Sequence, residues 1–94
     1  MGPERLDRLE PALVQVMETR PDSVIGVLVQ LNRELGEGDR DRLHQLGLTI
    51  GSAQGRIVTG TLRAADARRL TRWPAVEWVE LSNAIGSGSP RTKS

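Results

Sequence analysis

Apolar residues in the first twenty positions recur at intervals of three and four, the spacing of one face of a helix. These residues are Leu6, Leu9, Leu13, Val16 and Met17. Pro11 falls inside the pattern, where it either kinks a single helix or begins a second helix in its first turn, a position that tolerates proline. We favour the second alternative, a short turn near residues 3–9 and a helix over about 11–19, which Pro21 ends.

The next stretch, residues 24–31 (VIGVLVQL), changes to the pattern of a β-strand. It is rich in β-branched residues and is bounded by turn-forming residues on both sides. One set of alternate positions, from Ile25 to Leu31, is entirely apolar. The other set contains Gly26 and Gln30 and is mixed. A strand of this kind is typical of the centre of a sheet.

The remaining elements follow from turn residues and alternation. Asp39 can cap a helix over about 40–46, in which Leu43 and Leu46 face inward and which Gly47 ends. Two strands of a hairpin are predicted around the glycines at 51 and 55, followed by a helix and a last strand. The predicted ranges are 48–50 and 56–62 for the hairpin strands, 64–72 for the helix and 76–81 for the last strand.

The order after the first helix is β-α-β-β-α-β. This order predicts an α+β protein with the split βαβ, or ferredoxin-like, arrangement: a four-stranded antiparallel sheet with two helices on one face, plus the N-terminal helix. We divide the chain into an N-terminal helical segment (1–22), the ferredoxin-like domain (23–82) and a Gly/Ser-rich tail (83–94) that is predicted to be flexible.

Composition narrows the range of functions. The chain has 94 residues and no cysteine, which excludes disulfides, thiolate metal sites and thiol catalysis. Its formal net charge of +1 provides no excess charge to attract nucleic acid or acidic lipid. We see neither a signal-peptide pattern nor an apolar run of transmembrane length, so the compartment stays open, with the cytoplasm as the default expectation.

Candidate catalytic and metal-binding groups are few. His44 is the only histidine, and it is expected on the helix face away from the leucines. The nearby acids Asp39 and Asp41 share its helix, so they do not complete a nucleophile triad. The glycine-rich stretches match turns rather than a phosphate-binding loop. We therefore expect no enzymatic activity, no metal and no cofactor.

Nucleic-acid binding is also disfavoured, although this fold is found in RNA-binding domains. Such domains stack bases on aromatic side chains of the central strands. The two central strands predicted here, 24–31 and 56–62, contain no aromatic residue. The twelve arginines against one lysine are more simply explained by a GC-rich genome than by a binding patch.

The two tryptophans have different expected environments. Trp73, at the end of a helix and before Pro74, is expected to cover the core. Trp78 and Val79 are consecutive in a strand, so alternation places only one of them inward. The other should lie on the sheet face without helices, where a large apolar side chain marks an interface.

Residues 56–82 (RIVTGTLRAADARRLTRWPAVEWVELS) resemble the second half of the subtilisin propeptide family, the proteinase-inhibitor propeptides of bacterial subtilases. That family has a strand with a small residue and a leucine, an Ala/Leu helix, and then Pro-x-Val-x-aromatic-Val-Glu. The helix with Leu13 before VLVQL is similar to the start of such domains. The resemblance covers about residues 11–82. The matching positions are Gly60, Leu62, Ala67, Leu70, Pro74, Val76, Trp78, Val79 and Glu80.

The resemblance implies binding rather than catalysis. Such domains lay the helix-free face of the sheet on a subtilisin-like serine protease, and the chain after the last strand enters the protease cleft. The implied docking residues are Leu28, Gln30, Thr59 and Thr61, with Trp78 as a further partner-binding residue. The implied cleft segment is Leu81, Ser82, Asn83, Ala84 and Ile85.

The expected function is therefore inhibition of a subtilisin-like protease or assistance in its folding, without nucleic acid or membrane as partner. An adaptor or self-association domain of the same fold is the alternative, and this role could use the sheet face or an unpaired edge strand. A small-molecule regulatory role at a dimer interface is a third reading, supported by fold analogy alone.

Overall fold

A computed structural model of the protein describes residues 6–82. The observed elements confirm an α+β fold with an N-terminal helix and a four-stranded antiparallel sheet. The helices are α1 (Pro11–Thr19), α2 (Glu37–Gln45) and α3 (Ala67–Leu70), and the strands are β1 (Val24–Leu31), β2 (Thr49–Gln54), β3 (Ile57–Arg63) and β4 (Val76–Leu81). Two 3-10 turns, Leu6–Arg8 and Ala64–Asp66, precede α1 and α3.

The strands lie in the order β2-β3-β1-β4, so β1 and β3 form the centre of the sheet. In β1, Val29 pairs with Val58 of β3 on one side and with Val79 of β4 on the other. This order is the one expected for the βαββαβ arrangement, in which the last strand lies beside the first.

The helices cover one face of this sheet. Alternate residues of the strands, from Val27 and Val29 to Val58 and Val79, have no exposed surface on that face. They share one core with residues of all three helices and of the loops between them. From the helices this core receives Leu13, Leu43, Ala67 and Leu70. Each core-facing strand residue is followed by one on the opposite face, since side chains alternate along a strand.

The N-terminal segment is part of this core. Leu9 and Leu13 are buried, and α1 begins with Pro11 in its first turn as the sequence predicts. The Glu10 amide donates a hydrogen bond of 2.9 Å to the Val79 carbonyl oxygen, so the chain runs parallel to β4 at this point. The segment therefore covers the outer edge of β4.

Two predicted boundaries are wrong by a few residues. Helix α2 begins at Glu37 rather than at 40, and Asp39 lies inside its first turn. Its carboxylate reaches back to accept a hydrogen bond of 2.8 Å from the Gly36 amide, so Gly36 precedes the helix. The predicted helix 64–72 is a 3-10 turn followed by the four-residue α3. Hydrogen bonds of the i to i−3 type then continue as far as Trp73.

The hairpin also differs from the prediction. Residues 51–54, expected in a loop, belong to β2, which runs on to Gln54. A β-bulge at Gly51 interrupts the pairing with β3 and hides the strand from a simple alternation pattern. The turn itself is only Gly55 and Arg56, and Gly55 has a φ of 61°, a conformation that favours glycine.

Candidate partner-binding surface

The face of the sheet opposite the helices is not covered by any part of residues 6–82. We call it the open face. It consists of alternate residues of all four strands. These residues are Val24, Gly26, Leu28 and Gln30 of β1, Thr49, Ser52 and Gln54 of β2, Ile57, Thr59, Thr61 and Arg63 of β3, and Trp78 and Glu80 of β4.

Most of the sequence-predicted docking residues meet on this face. Leu28 lies between Thr59 on β3 and Glu80 on β4, and Gln30 lies between Ile57 and Trp78. Apart from the exposed Gln30, these residues are partly buried, because neighbouring side chains on the flat surface shield one another. Thr61 lies one pair further along β3, opposite Gly26. The predicted set is thus contiguous in space.

Trp78 occupies the β4 side of the open face, and Val79 is fully buried in the core. The structure confirms that only one of these two residues faces inward. The indole Nε1 donates a hydrogen bond of 3.1 Å to the Glu80 carboxylate, two residues further along the same strand. This bond satisfies the polar atom of the indole, and the apolar surface of the ring stays partly exposed on the open face.

The hydroxyl groups of the open face lie on the other side of Leu28. Ser52 and Thr59 share a hydrogen bond of 2.6 Å between their hydroxyl oxygens, across β2 and β3. The open face therefore carries three apolar side chains, Leu28, Ile57 and Trp78, with Gln30 between the last two. Hydroxyl groups lie on the β2 side of Leu28, and the Glu80 carboxylate lies on its β4 side. Such a mixture is typical of the surface of a protein–protein interface that forms and dissociates.

Sequence reasoning missed Ile57. It pairs with both Gln54 and Gln30 and lies between the two glutamines on the open face. The sequence could have identified it, because Ile57 is two residues before Thr59 and four before Thr61 in the same strand. Residues at these spacings lie on the same face of a sheet.

The structure describes the first two residues of the predicted cleft segment, Leu81 and Ser82. Leu81 belongs to β4 and faces the helix side, where it lines a cleft of about 560 Å³ between α1 and the start of β1. The Ser82 amide still donates to the Gly26 carbonyl oxygen at 2.8 Å. Leu81 and Ser82 thus continue the sheet, and Asn83, Ala84 and Ile85 lie outside the described residues.

Trp73 lies on the opposite side of the molecule and is buried, as predicted. The guanidinium carbon atoms of Arg33 and Arg42 lie 5.6 and 5.9 Å from the centre of its ring. Arg33 also forms a salt bridge of 2.7 Å with Asp39. The hydrogen bond from Arg33, followed by that from the Gly36 amide, lowers the pKa of the Asp39 carboxyl below its usual value. This cluster anchors α2 and the loop before it.

The described part of the chain contains no group of three His, Asp or Glu residues that could hold a metal ion. His44 is exposed on α2, away from the open face. Between residues 6 and 82, no helix has both the length and the apolar character needed to cross a membrane.

Comparison with known proteins found no match: no protein-family model, curated protein or solved structure resembles the chain closely enough to be reported.

Proposed function

We propose that this protein is a non-catalytic binding domain that docks through its open face on a subtilisin-like serine protease, as an inhibitor or folding chaperone. The observation that carries the proposal is the open face itself. One half of each central strand builds the core. The other half, together with Trp78 of β4, presents Leu28, Ile57 and the indole ring among polar residues, on a face that residues 6–82 leave uncovered.

The position of the chain exit supports a protease as the partner. Ser82 follows the last residue of β4, whose Trp78 is part of the open face, and residues 83–85 come next in the sequence. A partner bound to that face would therefore lie beside the end of β4. An extended segment next to a docked domain can add a strand to the partner by main-chain hydrogen bonds. Docking and cleft binding would then act together, at the high effective concentration of two linked sites.

The test is a titration of a panel of subtilisin-like proteases with the intact protein, measuring residual activity and the mass of the chain in the same samples. The expected result is inhibition while the chain survives. Removal of residues 82–94 should weaken it, because the cleft segment is lost. No inhibition by any protease at micromolar protein would contradict the proposal and would favour an adaptor that uses the same face.

Two variants test whether the open face is the docking surface. Trp78→Ala should weaken inhibition by about thirtyfold, the effect of losing a central aromatic anchor. Leu28→Ala should also weaken it, whereas His44→Ala serves as the control. His44 is exposed on α2, on the helix side of the sheet and away from the open face. Equal inhibition by all three variants would rule out this face.

A further inference from the structure

A cleft separates helix α1 from the beginning of strand β1, beside the end of β4. Its volume is about 560 Å³, and no part of residues 6–82 fills it. Ile25 and Leu81 line the cleft and also pack against the core, so its inner wall is apolar. Val24, at its rim, keeps 65% of its surface exposed, more than any other large apolar residue of the described chain. The cleft is therefore an apolar site without an occupant among the described residues.

Strand β1 extends further than its neighbour β4 at this end of the sheet. The register pairs Val27 with Leu81, and the Ser82 amide donates a hydrogen bond of 2.8 Å to the Gly26 carbonyl oxygen. Backbone groups of alternate residues point to the same side of a strand, so those of Val24 point to the same side as those of Gly26. No residue between 6 and 82 pairs with Val24 on that side. The edge of β1 is thus unpaired where it borders the cleft.

The sequence after the last described residue suits this edge. If the register of β1 and β4 continues, Ala84 comes opposite Val24, with its amide directed at that strand. Ile85 then shares the face of Leu81, which lines the cleft. Ile85 is also the last aliphatic residue of the sequence, because residues 86–94 are glycine, serine, proline, threonine, arginine and lysine. The apolar part of the sequence therefore ends one short segment beyond β4.

The length of the cleft fits this segment. Along α1 the cleft is lined from Ala12 to Arg20, which is about 12 Å at the rise of a helix. In an extended chain, Leu81 and Ile85 are about 13 Å apart. The continued register brings Ile85 opposite Ser23, whose amide donates a hydrogen bond of 3.1 Å to the Arg20 carbonyl oxygen. The segment would therefore end where α1 and β1 are joined.

We propose that residues 83–85 occupy this cleft in the free protein, extending β4 along the unpaired edge of Val24 and packing Ile85 against α1. The same chain is the favoured occupant, because it reaches the cleft at Ser82 and is present there at the high effective concentration of a linked segment. The contact itself does not depend on protease binding. A consequence that rests on the proposed function is that a protease must first withdraw the segment, since one Ile85 side chain cannot fill both sites.

Two proline variants test the backbone pairing. Ala84→Pro removes the amide that would donate to the Val24 carbonyl oxygen, whereas Asn83→Pro, the matched control, removes an amide that would point away from β1. The measured quantity is the hydrogen-exchange rate of the Val24 amide, followed by NMR in the full-length proteins. In the wild type this amide should exchange on the order of tenfold more slowly than in an unstructured chain. Ala84→Pro should abolish the protection, and Asn83→Pro should retain it.

Thermal unfolding tests the side-chain contact in the cleft. Ile85→Ser should lower the melting temperature by about 5 °C, because the burial of an aliphatic side chain is lost in a small domain. Removal of residues 86–94 is the control for this variant. It should leave the melting temperature unchanged, since these residues contribute no aliphatic side chain.

Any of four results would overturn the proposal. A Val24 amide that exchanges freely in the wild type is not paired. Equal protection in the two proline variants means that something other than residues 83–85 covers this edge. Protection that disappears on dilution means that a second copy supplies the segment, and a melting temperature unaffected by Ile85→Ser means that this side chain does not fill the cleft. None of these measurements involves a protease, so they fail or succeed separately from the inhibition assay.

Discussion

The two faces of the sheet are built from the same strands, yet they have opposite properties. On the helix side, Val29, Val58 and Val79 form a row across three strands and are fully buried. One residue along, the row on the open face is Thr59, Leu28 and Glu80, and each of its members keeps part of its surface exposed. Neighbouring residues in one strand therefore face entirely different environments.

Because of this difference, one face of the sheet stabilises the fold and the other is available for contact with another molecule. The buried row contributes apolar surface removed from water, which is the largest favourable contribution to folding. The open row contributes little to that core, so its residues are free to be selected for contact with another molecule. Antiparallel sheets allow such a division because one face can remain accessible to solvent.

The sharpest test of this division is a pair of identical substitutions in β1. Leu31→Ala removes a core side chain that is 1% exposed and should lower the free energy of unfolding by about 2–5 kcal/mol. Leu28→Ala, three residues earlier on the open face, should cost clearly less because part of this side chain is already in water. Denaturant unfolding measures both. Equal losses would show that the two faces contribute equally to stability.

A second test concerns the core side at Gly60, the one glycine in β3. A Cβ added there would collide with the backbone carbonyl oxygen of Thr49 in β2, where the bulge brings the strands together. Gly60→Ala should therefore destabilise the protein by about 1–3 kcal/mol. Gly38→Ala is the matched control, since an added Cβ on α2 meets nothing within 4 Å.

Thermal unfolding distinguishes the two glycine variants. The control should unfold at the same temperature as the wild type or slightly higher, because alanine favours a helix more than glycine does. If Gly60→Ala behaved like the control, β2 would be able to move away from β3, and its edge would be less rigid than the pairing indicates.

The smallest effect on stability is expected at Asp39, in the first turn of α2. The pKa of Asp39 is lowered in the folded protein by the hydrogen bond from Arg33 and then by that from Gly36. Its contribution to stability is therefore present above the unfolded pKa of about 4 and is lost as the pH falls through the lower folded value. Asp39→Asn should be less stable than the wild type at neutral pH.

The difference between these two proteins should shrink in acid, as the wild-type carboxyl takes up its proton. Unfolding measured from neutral pH to below the folded pKa follows this change. A difference that stayed constant over the whole range would mean that the charge of Asp39 is unimportant and that only its shape supports α2.

Most of the architecture could be predicted because its signals are local. Alternation in 24–31 and 76–81 identifies two strands, and the leucine spacing around Leu13 identifies α1. The bulge at Gly51 could not be predicted in this way, because it depends on pairing with β3 and breaks the alternation that reveals a strand. The same limit applies to α2, whose start depends on Asp39 reaching back to Gly36.

The open face was accessible to the same reasoning only in part. The family resemblance suggested Leu28 and Thr59 for it, and alternation required one of Trp78 and Val79 there without deciding which. Alternation could not show that Leu9 and Glu10 protect the edge of β4, since that contact joins positions seventy residues apart. Alternation also does not identify a partner, and the inhibition assay tests the one proposed here.

The contact between Leu9 and Val79 has a consequence for the order of events during synthesis. The ribosome synthesises Leu9 early, whereas Val79 belongs to the last strand of the sheet. The segment around Leu9 therefore cannot form this contact until β4 has been synthesised. Strand β4 also pairs with β1, far earlier in the chain. We therefore expect little stable structure in nascent chains that end before β4 and an abrupt gain once residue 82 has left the exit tunnel.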